Sequence, residues 1–370
     1  MPRVPMSWLP PCRELILDAV SLLRTSALPL LAAAAVAAAP PPPDPQIRFR
    51  ERVEVERVLV DARAVDDAGM PLPDLGPKDF RLRVDGKVVP LESTYWVAAT
   101  QKEPEPEGAT TEAYVVTPEP VEGEAAPGRL IVFFFQKDFD ESRLTGLLRM
   151  QKTALTVIDN LAVGDRAAVV SFDSHLKLRL DFTSDRETLR HVIGNVILLG
   201  EPRYIPPGPP PSLAEHFDRA RARKAASPET ALLVLADALK ELPGPKTLVF
   251  VGWGMGRFDA RSGSVTLDRD YAPARRTLLE ARVTVFCLDV TEADYHSLEV
   301  GLQQVADDTG GFYARTHLFP DLAMRRLEGA LSGHYVLTFE KPPLRPGTHR
   351  IEVDLVGRKG TVLAKSYYEG

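Results

Sequence analysis

The sequence predicts an α/β protein with a doubly wound, mostly parallel sheet, flanked by β-sandwich strands from both termini. Two observations predict the sheet: residues 129–332 contain apolar runs long enough for buried strands, and amphipathic helical segments alternate with them. A third observation predicts the sandwich, because the strand-like segments 47–98 and 333–370 contain no helical pattern and each is too short to support its own core. We therefore expect the α/β domain to be inserted between the two strand segments.

The amino-terminal residues 1–39 are predicted to be a secretory signal peptide. An uncharged apolar run at 27–39 follows three arginines and ends in the small residues Ala37 and Ala39, the pattern of a cleaved export signal. As a helix this run would span about 20 Å, less than the roughly 30 Å of a bilayer core. We expect an extracytoplasmic protein, periplasmic or secreted, with no membrane span in the mature chain. The alternative is retention by an uncleaved amino-terminal anchor.

Residues 40–46 are a proline-rich spacer, and residues 47–98 follow as the predicted amino-terminal strands. In FRLRV at 80–84, apolar residues alternate with arginines, as in a half-buried strand. The dipeptide Asp85-Gly86 is a two-residue hairpin signal. Residues 99–128 then hold seven glutamates and five prolines, so we expect an acidic linker that buries little.

The predicted α/β domain, 129–332, begins with the continuous apolar run LIVFFF, typical of a strand covered on both faces. A helix, a second buried strand at 167–172 and an alternating edge strand at 175–182 follow. The remaining predicted elements are helices near 187–197, 230–242, 272–281, 296–308 and 322–331, and strands at 247–251, 283–290 and 312–314. The strands predicted in 333–370 are 335–339, 349–356 and 361–367.

Charge and cysteine content exclude several classes of protein. Lys and Arg number 45 against 51 Asp and Glu, a net charge of -6, so no broad basic surface is available for a nucleic acid. Two cysteines, Cys12 and Cys287, are too few for a disulfide framework or a thiolate zinc site. The sequence contains no G-x-S-x-G motif, which would indicate a hydrolase, and we predict no catalytic residue.

Several segments resemble a known family. GDRAAVVSFDS at 164–174 and TALLVLADAL at 230–239 are similar to a von Willebrand factor A domain. The flanking segments resemble von Willebrand factor A-related exported bacterial proteins of the acidobacterial type; they are VLVDARAVDDAGMPLPDLGPKDFRLRVDGK at 58–87, DDTGGFYA at 307–314 and GHYVLTFEKPP at 333–343. The resemblance covers nearly all of 47–370 and implies a non-enzymatic protein-interaction or adhesion module.

The resemblance also implies where a metal-ion-dependent adhesion site would lie. Members that bind metal use an Asp-x-Ser-x-Ser loop after the first strand, a threonine before a later helix, and an aspartate after the fourth strand. Here Gln136, Asp138 and Asp140 occupy the loop positions, Thr230 matches the threonine, and Trp253 replaces the last aspartate. We expect a degenerate site with no bound metal or other cofactor, and we expect Asp138, Asp140, Thr230 and Trp253 to contact a protein partner instead.

The expected partner surface comprises the loops 136–142, 204–230 and 252–261, because the carboxyl ends of parallel strands gather variable loops. One alternative is an adhesin that binds Mg²⁺ or Mn²⁺ through Asp138, Asp140 and Thr230. A second is a nucleotide-dependent enzyme that uses the glycine-rich segment 252–256.

Two further groups of residues are not expected to bind metal. The seven histidines show no metal-ligand spacing, which predicts ordinary surface or partly buried imidazoles. Asp289 and the two acidic residues that follow it are interpreted as a solvated loop.

Overall fold

The computed structural model describes residues 56–99, 128–201 and 203–370. The predicted signal peptide, the proline-rich spacer and all but the ends of the predicted acidic linker lie outside these residues. None of the helices in the described ranges has both the length and the apolar character needed to cross a membrane.

The described residues form strands and helices that are numbered in chain order. The strands are β1 (Arg57–Val65), β2 (Phe80–Val84), β3 (Lys87–Val89), β4 (Ser93–Ala98), β5 (Leu130–Gln136), β6 (Arg166–Phe172), β7 (Leu176–Thr183), β8 (Lys246–Gly252), β9 (Arg257–Asp259), β10 (Ser264–Thr266), β11 (Val283–Asp289), β12 (Tyr313–Arg315), β13 (Gly333–Glu340), β14 (Thr348–Leu355), β15 (Thr361–Ala364) and β16 (Tyr367–Glu369). The helices are α1 (Glu141–Asp159), α2 (Arg186–His191), α3 (Ile197–Leu199), α4 (Leu213–His216), α5 (Arg219–Lys224), α6 (Pro228–Lys240), α7 (Tyr271–Glu280), α8 (Glu299–Thr309) and α9 (Pro320–Leu331).

The central sheet has six strands in the order β12-β11-β8-β5-β6-β7. Five of them are parallel, and the edge strand β7 pairs antiparallel with β6. Alternate residues of β5 enter two separate cores, Phe134 with α6, α7 and α8, and Phe133 with α1, α2 and α9. The prediction of a mostly parallel α/β sheet with helices on both faces is confirmed.

Two antiparallel sheets combine strands from both ends of the described chain. Their strand orders are β15-β1-β13-β4 and β16-β14-β2-β3. In the first sheet Arg57 pairs with Glu340, and in the second Val84 pairs with Ile351. Their buried faces share one apolar cluster, which includes Tyr335. Neither segment forms either sheet by itself, because each sheet needs strands from the other segment.

Charged side chains, one of them buried and two partly buried, join these antiparallel strands to the α/β domain. Arg63 on β1 is buried and donates hydrogen bonds to the carbonyl oxygen of Ala330 (2.9 Å) and the hydroxyl of Thr284 (3.0 Å). Two residues earlier, Asp61 accepts two bonds from the guanidinium of Arg282 (2.5 and 2.9 Å). Each of these charged side chains therefore has a polar partner, which offsets the cost of removing the charge from water.

The stability of the junction is expected to depend on pH through His334. Burial disfavours the charged form of His334. Repulsion from Arg63 and Arg282 outweighs attraction by Asp61, and the pKa of His334 is lowered to about 4. The unfolded chain, with a histidine pKa of about 6.5, takes up the proton first, so stability falls as the pH decreases from about 6.5 to about 4. The wild-type free energy of unfolding decreases between these pH values, and we expect His334→Gln to make that decrease smaller by about 3 kcal/mol. Urea unfolding across this pH range measures the difference. His191→Gln, at an exposed position, is the control and should retain the wild-type profile.

Candidate partner-binding site

The candidate site lies at the edge of the central sheet where the parallel strands end. The segments after β5, β8 and β11 leave the sheet at this edge, and α6 runs back from it because it precedes β8. Asp138, Asp140 and Trp253 lie in the first two of these segments, and Thr230 lies in the first turn of α6. The topology therefore places all four predicted residues at one edge of the sheet.

Gln136, the last residue of β5, joins two of these segments. Its amide nitrogen donates to the carbonyl oxygen of Gly254 (2.9 Å), and its amide oxygen accepts from the backbone N–H groups of Trp253 (3.0 Å) and Gly254 (3.2 Å). The side chain is buried. At the position where the resemblance implies a first metal-binding aspartate, a neutral amide thus fixes the segment after β8 against the end of β5.

Asp138 and Trp253 are brought together by Arg143, a residue that the sequence analysis did not single out. The Arg143 guanidinium forms an ion pair with Asp138, and its central carbon lies 3.9 Å from the centre of the Trp253 ring. Tryptophan is the ring that binds cations most strongly. Partial burial of Asp138 opposes its ionisation, but bonds from the Asp140 N–H and from Arg143 keep the pKa of Asp138 below its ordinary value.

The other two predicted residues act at helix starts. Asp140 caps α1, accepting from the backbone N–H (3.1 Å) and the hydroxyl (2.5 Å) of Ser142. The Thr230 hydroxyl donates to Asp270 (2.8 Å) and lies 3.0 Å from the Ser227 hydroxyl, which caps α6. The hydrogen bonds of Asp140 and Thr230 therefore order the two helix ends, whereas Asp138 and Trp253 share a cation.

Lys137 adds a second cation at this edge. It is buried, and its ammonium lies 3.1 Å from the carboxylate of Asp173, which also binds Lys177. Burial lowers the pKa of Lys137, while Asp173 opposes that shift. One carboxylate shared by two ammonium groups leaves the cluster with a positive charge.

A second group of metal-type side chains follows β11. One ligand atom from each of Asp289, His296 and Glu299 lies within 4.8 Å of the others. His296 bonds Asp289 (2.6 Å), Tyr313 bonds both Asp289 (2.7 Å) and Glu299 (3.1 Å), and Arg315 binds both oxygens of Glu299 (2.6 and 2.9 Å). These bonds stabilise both buried carboxylates with groups of the protein itself.

The expectation that Asp289 belongs to a solvated loop is wrong, because its side chain is buried beneath this network. The segment after β11 folds back so that residues seven and ten positions along the chain reach Asp289. Fixed motif spacings such as H-x-x-x-H do not describe such a fold-back, so the sequence analysis missed the group.

The proline-rich segment 203–211 lies only partly on the expected partner surface. Tyr204 is exposed and stacks with Arg219, whose guanidinium carbon lies 3.9 Å from the ring centre. Further along, the carbonyl oxygen of Pro210 accepts from Arg166, which begins β6 at the opposite edge of the sheet (2.8 Å). The prediction that all of 204–230 lies at the partner edge is therefore wrong for the residues around Pro210.

Comparison with known proteins gives structural similarities only. No family model matches the chain, and no curated protein matches it. Similar solved structures include an aerotolerance-related membrane protein from Bacteroides fragilis, with a TM-score of 0.37, 13% identity and coverage of 55% of this chain and 98% of that chain. The conserved hypothetical protein BatB from Bacteroides thetaiotaomicron has a TM-score of 0.34 and 12% identity, with coverage of 55% of this chain and 99% of that chain. The PilB minor pilin from Streptococcus sanguinis has a TM-score of 0.33 and 14% identity, with coverage of 57% of this chain and 62% of that chain. These TM-scores and identities are too low to assign the chain to a family.

Proposed function

We propose that this protein is an exported, non-enzymatic protein-interaction module of the von Willebrand factor A-related type that binds its partner without a metal ion. The observation that carries the proposal is the position of Arg143. Its guanidinium is fixed between Asp138 and Trp253, beside the loop in which the domains that the sequence resembles hold a divalent cation. Export is proposed from the signal pattern of residues 1–39.

Arg143 supplies a fixed positive charge that a carboxylate of the partner could meet. A guanidinium offers several N–H donors in one plane, so it can bind Asp138 and a second carboxylate together. The neighbouring cluster of Lys137, Lys177 and Asp173 has two ammonium groups to one carboxylate and so adds one net positive charge. An acidic side chain of a partner protein is therefore the group that this edge favours.

The two alternative functions meet specific structural costs. A Mg²⁺ or Mn²⁺ adhesin would have to hold its cation beside the positive Arg143 guanidinium, which already bonds one oxygen of Asp138. A nucleotide-dependent enzyme would need the glycine-rich segment 252–256 to lead into a helix, whose N-terminus would receive a phosphate. In the structure β9 and β10 follow this segment instead.

Thermal unfolding of the chelator-stripped chain, titrated with Mg²⁺ and Mn²⁺, separates the metal-independent proposal from the adhesin. We expect no rise in melting temperature, whereas a cation at hundredfold excess over its Kd would add about 2.7 kcal/mol. A rise that Asp138→Ala abolishes and His296→Ala preserves would contradict the proposal and support the adhesin. The opposite pattern would place the cation in the group around Asp289.

Arg143→Ala is expected to weaken binding of a purified partner at least about tenfold, because the partner carboxylate loses a charged donor. Arg190→Ala is the matched control, since Arg190 forms an exposed ion pair with Asp159 away from this edge. The partner is first captured with the immobilised wild-type protein and purified, and calorimetry then measures its affinity for the wild type and for each variant. Equal affinity for the wild-type chain and Arg143→Ala would overturn the proposed site.

A further inference from the structure

A groove runs along the open edge of the central sheet, beside β12. We call it the β12–α9 groove; its volume is about 380 Å³, within the range of ligand sites. Gln303 of α8 forms one side, Ala314 and Arg315 of β12 form the floor, and Leu322 and Arg326 of α9 form the other side. None of these residues belongs to the site around Arg143.

The floor of the groove presents backbone groups that have no neighbouring strand. Cys287 donates to the carbonyl oxygen of Phe312 (2.9 Å) and Thr316 donates to that of Asp289 (2.9 Å), so Phe312 and Thr316 face β11. Because backbone groups alternate along a strand, those of Tyr313 and Arg315 point away from β11. In the described part of the chain, β11 is the one strand that pairs with β12. Such an edge can receive another extended segment.

The wall on the α9 side is apolar at one end and positive at the other. Phe319 and Leu322 are 66% and 44% exposed, although both are large apolar side chains. Arg326 lies over the ring of Phe312, with its guanidinium carbon 4.9 Å from the ring centre. Within the described residues no carboxylate lies within ion-pair distance of Arg326, whereas Arg315 is already paired with Glu299. The groove therefore combines exposed apolar surface with an uncompensated cation.

We propose that the β12–α9 groove binds an extended segment of a partner protein, which adds to the sheet as a strand beside β12. Side chains two positions apart in a strand point to the same face. An apolar residue of the segment would contact Phe319 and Leu322, and an acidic residue two positions away would pair with Arg326. The charge of Arg326 selects an acidic segment, and the unpaired groups of Tyr313 and Arg315 select an extended one.

The proposal is tested with a labelled synthetic peptide, Thr-Val-Thr-Glu-Thr-Val-Thr, by fluorescence anisotropy with the full chain. We expect saturable binding that weakens at least about tenfold in Arg326→Glu. Arg325→Glu is the matched control, because Arg325 is exposed on the same helix and does not line the groove. A peptide with lysine in place of glutamate should bind at least about tenfold more weakly, since it would be repelled by Arg326.

A second measurement tests the backbone pairing directly. Hydrogen exchange at the amides of Tyr313 and Arg315 should slow when the peptide binds, and N-methylation of the peptide on the side that faces β12 should abolish binding. Absence of saturable binding, equal binding of the glutamate and lysine peptides, or full binding by the N-methylated peptide would each overturn the proposal. Arg143→Ala should leave peptide binding unchanged, which separates failure here from failure of the proposed function.

Discussion

Replacing Gly146 with alanine is expected to destabilise the protein by about 3 kcal/mol, although alanine is the better helix former by about 1 kcal/mol. Gly146 lies in α1, where the helix meets the segment after β11. An added Cβ would overlap the carbonyl group of Val290, with the carbonyl carbon only 2.8 Å away. The helix backbone fixes the position of the added Cβ, and its neighbour is a backbone carbonyl group, so no side-chain rotation can relieve the overlap. Because Arg143 precedes Gly146 by one helical turn, the displacement would also disturb the candidate site.

Gly194→Ala provides the matched control for this prediction. Gly194 also lies in a helical segment, the π-helical stretch Val192–Val196, but a methyl group added to its Cα would meet no atom within 4 Å beyond its chain neighbours and the backbone of its own helix. We expect the free energy of unfolding of Gly194→Ala to equal that of the wild type or to exceed it by up to about 1 kcal/mol. Urea unfolding of the two variants and the wild type measures the difference. Similar stability for both variants would show that the approach of α1 to Val290 is looser than the structure indicates.

Replacing Tyr335 with alanine is expected to cost about 3 to 5 kcal/mol. Tyr335 on β13 is fully buried, with its ring centre 5.2 Å from that of Phe80 and 4.8 Å from that of Trp96. Its hydroxyl donates to the carbonyl oxygen of Leu72 (2.5 Å) and accepts from the N–H of Leu75 (3.0 Å). One side chain thus holds three segments of the amino-terminal strand group against a carboxyl-terminal strand.

Tyr335→Phe separates the contribution of the hydroxyl from that of the ring. The ring contacts remain, but the buried N–H of Leu75 loses its acceptor, so we expect a loss of about 1 to 3 kcal/mol. Tyr95→Phe on the neighbouring strand β4 is the control, because Tyr95 is 48% exposed. Thermal unfolding followed by near-ultraviolet circular dichroism reports on both. If Tyr335→Phe melts at the wild-type temperature, the hydroxyl bonds contribute no net stability.

The elements that sequence predicted correctly have strong local patterns. The continuous apolar run of β5 is buried at every position, and the Asp85-Gly86 turn connects β2 to β3 with positive φ values of 48° and 79°. The hairpin of β9 and β10 was not predicted. Its strands are three residues long and mostly exposed, so they carry no hydrophobic periodicity that the sequence could reveal.

The candidate site was only partly predictable for a different reason. The topology predicted that Asp138 and Trp253 would lie at the same edge, because strand order alone places the ends of β5 and β8 side by side. The role of Arg143 depends on the direction of a long side chain across the first turn of α1, which no residue spacing specifies. Gln136 occupies the position of the first aspartate of the metal-binding loop, but its bonds to the segment after β8 depend on where that segment lies in the fold.

The pairing of β1 with β13 and β15 has a consequence for the order of folding during synthesis. Among the described strands, β1 has no neighbour in its sheet until β13 has left the ribosome, whereas all six strands of the central sheet are complete by Arg315. The central sheet can therefore fold first, while β1 waits for loop closure across most of the chain, a slow step for strands so far apart in sequence. During that interval both edges of β1 lack a neighbouring strand over most of their length, and such edges are templates for aggregation. The emergence of β13 ends the exposure of one of them.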